Sequence, residues 1–210
     1  MSCLQYVVGL DASLTCTGIT RLSSIGETQY FEVKTPSRGN GLQDRFKRYR
    51  SGVSSILDQC GMWENSSLGI DYKEIYPSLI LIEGYAYRGQ GSSLVSLAEH
   101  GTLLRRELML RWQNPGLLRE VPPSTLKQFS CGKGNATKIY VATALAKRYE
   151  REFKSDDEAD SFALAKLAAM VVGFEKPQVE SQRKAVAVVK AVIQKETSNH
   201  ATSTPKSRQN

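Results

Sequence analysis

Tyr6-Val7-Val8-Gly9-Leu10-Asp11-Ala12-Ser13-Leu14-Thr15-Cys16-Thr17-Gly18-Ile19-Thr20-Arg21-Leu22 decides how the rest of the chain is read. The apolar run from Tyr6 to Leu10 ends on an acid, a polar turn follows, and Gly18 to Leu22 is a second short run, so the two read as paired strands. Tyr30-Phe31-Glu32-Val33, after Gly26, adds a third, and the chain opens as a three-strand meander. Working outward, residues 41 to 60 place Leu42, Phe46, Tyr49, Val53, Ile56 and Leu57 at spacings of three and four, which predicts an amphipathic helix. Ser78-Leu79-Ile80-Leu81-Ile82-Glu83 is too short and too continuously apolar for a surface helix, and predicts a buried strand that also ends on an acid.

The remaining segments alternate helix and strand. Residues 61 to 76 carry Gly, Asn, Ser and Asp without period and are read as a loop, as is Gly84 to Ser93, rich in glycine and aromatics. A helix is expected from about Ser93 to Trp112, closed by Asn114-Pro115-Gly116, then a short strand around Leu118 to Val121 and a helix start at Pro122-Pro123-Ser124. Helices follow over about Ala136 to Phe153 and Asp157 to Val172, the second opened by acids that suit the positive end of the helix dipole. The fold class predicted is mixed α/β: a five-stranded sheet flanked by helices over residues 1–174. Residues 175–210 read as a basic helical extension, from about Pro177 to Lys195, with a Ser/Thr/Asn tail from Thr197 expected to be disordered.

Composition limits the function classes. With 210 residues, 40% of them hydrophobic and 23% charged, there is enough apolar side chain for one core, and disorder throughout is excluded. No apolar run approaches the roughly 20 residues that span a bilayer, and Met1 to Gly9 lacks a signal-peptide pattern, so a cytoplasmic location with no membrane partner is expected. Cys3, Cys16, Cys60 and Cys131 form no C-x-x-C pair and histidines occur only at His100 and His200, which argues against a zinc site or a disulfide framework.

The charge of +7 points to a polyanionic partner, and its distribution sharpens this. From Lys34 to Arg50 there are six cations, including Arg45, Lys47 and Arg48, against Asp44; from Lys127 to Arg148 there are five cations and no acid. Phosphate contacts and plain solvated helix faces both fit such runs. The acids carry more. Asp11 and Glu83 each end an apolar strand, and if those strands are neighbours the two carboxylates emerge together at one sheet edge. Asp157 and Asp160, three apart at a helix start, share one face. Four clustered carboxylates repel, a repulsion that hard divalent cations relieve, and such a set suits a two-metal site for phosphodiester hydrolysis. Turn and helix-capping roles are the plainer alternative for each acid alone.

These segments resemble a known family. Gly9-Leu10-Asp11-Ala12-Ser13-Leu14-Thr15 with Thr17-Gly18, Leu81-Ile82-Glu83, and Asp157-Glu158-Ala159-Asp160-Ser161-Phe162-Ala163-Leu164-Ala165 resemble the acidic motifs of RuvC-type Holliday junction resolvases, in the RNase H-like superfamily. Pro123-Ser124-Thr125-Leu126-Lys127 and Gly132-Lys133-Gly134-Asn135-Ala136-Thr137-Lys138 resemble the family's basic segment, and the whole resembles a phage-like or bacterial variant of it. The resemblance implies an RNase H-like fold and a homodimer, located in a bacterial cell or phage-infected host, that makes paired Mg2+-dependent nicks in four-way junctions. It implies two Mg2+ per active site, with Mn2+ able to substitute, held by Asp11, Glu83, Asp157 and Asp160. Lys138 and Lys127 match lysines that approach the scissile phosphate, with Lys133 a third candidate. The loop after Glu83 is expected to open the junction, bringing Tyr85, Tyr87 and Arg88 to DNA, although packing within the loop suits the tyrosines equally. Arg45, Lys47 and Arg48 are candidates for holding the DNA arms.

Other readings meet obstacles in the sequence. Asp11-x3-Thr15-x2-Gly18 also resembles the phosphate turn of sugar kinases and actin-like ATPases, which enclose ATP between two domains where this chain supplies one. Neither GxxxxGK[ST] nor GxGxxG is present. A relaxed nuclease of forks and flaps stays open beside the junction resolvase, and a non-cleaving junction-binding protein would have little use for all four acids.

Overall fold

The computed structural model describes residues 5–35, 42–65, 72–84, 92–114 and 117–202. Three antiparallel strands come first, β1 (Tyr6–Ala12), β2 (Cys16–Ser23) and β3 (Thr28–Lys34), followed by helix α1 (Leu42–Cys60). Strands β4 (Met62–Asn65), β5 (Tyr72–Ile75) and β6 (Leu79–Glu83) lead to α2 (Ser92–Trp112) and β7 (Leu118–Val121). The chain then continues in α3 (Pro123–Cys131), α4 (Lys138–Tyr149), α5 (Asp156–Val172) and α6 (Glu180–Thr202).

The main sheet has five strands in the order β3-β2-β1-β6-β7, with β1 and β6 parallel and β6 and β7 parallel. The expected meander, the buried strand ending at Glu83 and the strand at Leu118–Val121 are all present, and the class is mixed α/β. Side chains alternate across the sheet. Tyr6, Val8, Leu10, Ile80 and Ile82 pack with Val53 and Ile56 of α1 and Leu104 and Leu108 of α2. Val7, Leu79 and Leu81 face the other way, into a core made with α3, α4, α5 and α6.

Helix α5 is the central element of that second layer. Ser155 caps it by accepting a hydrogen bond from the Glu158 N–H at 3.1 Å, three acids occupy the first turn, and Gly173 ends it at φ 92. Its middle, from Ser161 to Ala165 and again from Leu167 to Val171, is buried on every face, as expected of a helix inside the molecule. It lies directly on β1 and β2 because glycines stand where it crosses. A Cβ on Gly9 would fall 2.1 Å from the Ser161 carbonyl oxygen and 2.4 Å from the Ala165 nitrogen. The buried hydroxyls of Thr20 and Ser161 share a hydrogen bond of 2.9 Å across the same contact.

Three segments differ from the sequence expectation. Residues 61–76, expected as a loop, contain the antiparallel pair β4–β5, running from Met62 opposite Ile75 to Asn65 opposite Tyr72. Such short strands have too few residues to show a period, and their pairing is fixed by each other. Helix α4 stops at Tyr149 instead of near Phe153, because Glu150 adopts a left-handed conformation at φ 49 and caps it. Helix α6 continues past Lys195 to Thr202, so residues 197–202, expected in the tail, are helical. Its inner face places Ala185, Val186 and Val189 in the same core as α5, and Glu196 pairs with Arg119 of β7 at 3.1 Å. Residues 203–210 lie outside the described residues.

Gly9→Ala is expected to destabilise the protein by about 3 kcal/mol, because the added methyl meets backbone that cannot rotate away. The midpoint of urea denaturation measures this; an unchanged midpoint would show that α5 does not rest on Gly9.

Candidate active site

The acids that end two apolar strands meet at one edge of the sheet. Leu10 of β1 is paired in parallel with Ile82 of β6, so the next residues are Asp11 and Glu83. Both follow the phase of Gly9 and Leu81, which puts them on the α5 side. Asp11 is paired across the sheet with Gly18, and the start of α5 sits on that glycine: a Cβ there would fall 2.4 Å from the Asp157 carbonyl oxygen. The crossing therefore brings Asp157 and Asp160, one helical turn apart, over Asp11. All four acids are partly buried.

Their mutual repulsion is visible in their acidities. Burial raises Asp11 well above the usual carboxylate range, and the charges of Asp160, Glu83 and Asp157 raise it further against the opposing Lys138. Glu83 is pushed up to about 7 by burial and by Asp160, with Lys138 and Lys127 pulling the other way. Asp160 is pushed up to about 6, chiefly by burial; Lys138 opposes this, Asp156 and Asp157 add to it, and Lys127 opposes it. Burial alone would lower Lys138, yet the carboxylates of Asp160, Asp11, Asp156 and Asp157 raise it overall.

Two of the three candidate lysines stand in this field. Lys138 opens α4, behind the Thr137 cap, with its Nζ 3.9 Å from Asp156, and Lys127 lies on α3. Lys133, exposed in the connection between those helices, lies over the Tyr140 ring at 5.4 Å and is not among the charges acting on the acids. In the first basic stretch, Arg45 pairs with Glu99 of α2 at 3.1 Å, Arg48 lies over the Tyr49 ring at 5.0 Å, and Lys47 is exposed on α1. The structure does not bring these three to the acids. Tyr85, Tyr87 and Arg88 lie outside the described residues.

Some neighbours were not visible in the sequence. Cys16, at the start of β2, has its thiol pushed up to about 12 by burial and by the adjacent Asp157 carboxylate. Asp156 contributes to the field at Asp160 and Lys138, whereas the intervening Glu158 turns inward to Arg151 at 2.9 Å and accepts from the Lys154 N–H at 2.9 Å. Neither Cys16 nor Asp156 carries a motif, so only the packing of α5 against β2 reveals them.

The donor set suits a hard divalent cation in charge and ligand type: four partly buried carboxylates, with burial and like charges disfavouring the ionised forms of Asp11, Glu83 and Asp160. Among the described residues no group of three His, Cys, Asp or Glu side chains is arranged to hold a metal ion as it stands.

No protein-family model matches the sequence, and no curated protein matches it. Solved structures do. The Thermus thermophilus RuvC structure superposes with a TM-score of 0.55 at 18% identity, over 82% of this chain and 99% of that one. T. thermophilus RuvC in complex with a Holliday junction substrate gives 0.50 at 18% identity, over 77% and 90%. At this identity the likeness establishes the fold: this chain has the RNase H-like architecture of RuvC. No helix among the described residues is long and apolar enough to cross a membrane.

Replacing Asp11 with Asn removes one repelling charge from the cluster. In EDTA at pH 8, Asp11→Asn is expected to raise Tm by about 2–4 °C, the shift that about 1 kcal/mol produces in a domain of this size. A lower Tm than wild type would show that the ionised carboxylate is not under strain.

Proposed function

We propose that the protein is a metal-dependent, structure-selective endonuclease that resolves four-way DNA junctions by paired nicks, acting as a homodimer. The convergence of Asp11, Glu83, Asp157 and Asp160 beneath Lys138 carries this reading. Among the solved structures of like fold is one with a Holliday junction substrate, which directs the choice among phosphodiester substrates to branched DNA. The +7 charge suits that partner.

The four carboxylates would hold two Mg2+ per active site, with Mn2+ able to substitute. Bound there, such ions supply activation of a water and stabilisation of the departing oxygen. The chain's own groups do the rest. Lys138 and Lys127, already in the field of the acids, face the charge that builds on the phosphate in the transition state and offset it. The rigid seating of α5 on Gly9 and Gly18 keeps Asp157 and Asp160 in place relative to Asp11, which limits the reorganisation that catalysis requires. Val95, Met109 and Leu110 on α2 and Phe46 on α1 are exposed apolar side chains suited to contact between two copies.

Labelled four-way junction, fork, flap and linear duplex, each with Mg2+ or EDTA, separate the possible outcomes. Symmetric paired nicks in the junction, absent in EDTA and in Asp160→Asn while junction binding persists, are expected. Equal cutting of forks and flaps would make the protein a general branch nuclease, and junction binding without cleavage in Mg2+ or Mn2+ would overturn the reading. Lys138→Ala is expected to lower the single-turnover cleavage rate by about 100-fold with junction affinity changed far less, since its charge is needed most in the transition state.

A further inference from the structure

Glu83 lies where β6 ends, beside a space in the structure. It is the last residue of β6, and below it, between the sheet and α2, lies a cavity of about 130 Å3 lined by Ala12, Glu83, Gly84, Leu97, His100 and Arg105, among others. On the α2 side this space is closed by Leu97, His100 and Arg105. Glu83 is paired with Val121 of β7, and the Gly84 N–H donates to the Val121 carbonyl at 2.9 Å. Among the described residues, one side chain hydrogen-bonds Glu83: Arg105 of α2, whose Nη2 donates to the Glu83 carbonyl oxygen at 3.4 Å.

The anchoring of Arg105 matches this task. Its Nη1 donates to the Gly101 carbonyl one turn earlier on α2 at 3.1 Å, and its Nε pairs with the carboxylate of Glu120 on β7. The guanidinium thus ties three elements together at the carboxyl ends of β6 and β7, and its side chain is only 14% exposed. A planar fork with several fixed donors can hold a backbone oxygen and a carboxylate at once, which an ammonium group cannot. Arg105 is not among the charges that move the acidity of Glu83, so any influence on that residue runs through backbone position.

We propose that Arg105 is a positioning residue for the metal centre, fixing the backbone of Glu83 so that its carboxylate is presented toward Asp11 and Asp160. The inference rests on the metal-dependent reading above and deepens it. Groups that orient metal ligands in this way change metal affinity by about 10- to 100-fold when removed, without touching the ion. Because Arg105 projects from α2, the helix proposed to contact the second copy, it also ties Glu83 to that surface.

Mn2+ binding to the full-length protein without DNA, followed by electron paramagnetic resonance, tests this independently of cleavage. Arg105→Gln removes charge and fork; Arg105→Lys keeps a charge for Glu120 and loses the simultaneous grip on the carbonyl. Both are expected to weaken Mn2+ binding by about 10-fold, with the metal-free Tm within about 4 °C of wild type. Glu107→Gln, elsewhere on α2, should leave Mn2+ binding unchanged. Wild-type affinity in both Arg105 variants, whether or not Tm falls, would overturn the role assigned to Arg105 and leave the nuclease reading standing. Absence of Mn2+ binding by the wild type would remove the metal centre, and this inference with it.

Discussion

The contact on which the site depends is the crossing of α5 over β1 and β2 at Gly9 and Gly18. Both glycines sit where any side chain would collide with the helix backbone, and Gly18 is also the cross-strand partner of Asp11. A helix seated this closely has little freedom to slide. Its first turn must then stand over the strand end, and the spacing of Asp157 and Asp160 does the rest. The same absence of Cβ atoms that permits close packing thus sets the separation between two carboxylates on a helix and two on the sheet.

That arrangement opposes stability. Burial and mutual repulsion push up Asp11, Glu83 and Asp160, and Lys138, with Lys127 at Glu83 and Asp160, offsets this only in part. A fold selected for stability alone would place apolar or neutral residues here, as it does one residue earlier at Leu10 and Ile82, which are fully buried. Retaining four acids makes sense if a bound cation completes the charge balance. Local strain of this kind, concentrated at the carboxyl ends of adjacent parallel strands, is characteristic of ligand sites in α/β sheets.

Much of this was legible in the sequence because it is local. Short continuous apolar runs give β1 and β6, each running into its acid, and an i, i+3 acid pair opening an Ala-rich helix gives α5. The convergence of those acids needed one further step, that β1 and β6 pair in parallel at Leu10 and Ile82. Features set by distant partners were not legible. The β4–β5 pair is held by strands too short to show alternation, α4 ends at a left-handed Glu150 that carries no breaker signal, and Cys16 reaches Asp157 only through tertiary packing. Arg105 looked like any cation on a helix, since its grip on Glu83 and Glu120 spans 22 and 15 residues. Conversely, Arg45 belonged to a basic stretch in sequence, yet it pairs with Glu99 between two helices.

The central claim is that these four carboxylates form a metal centre, and anomalous diffraction from crystals of the wild-type protein grown with Mn2+ tests it most directly. Two anomalous peaks enclosed by Asp11, Glu83, Asp157 and Asp160 are predicted. Crystals that bind Mn2+ only elsewhere, or not at all, would contradict the account.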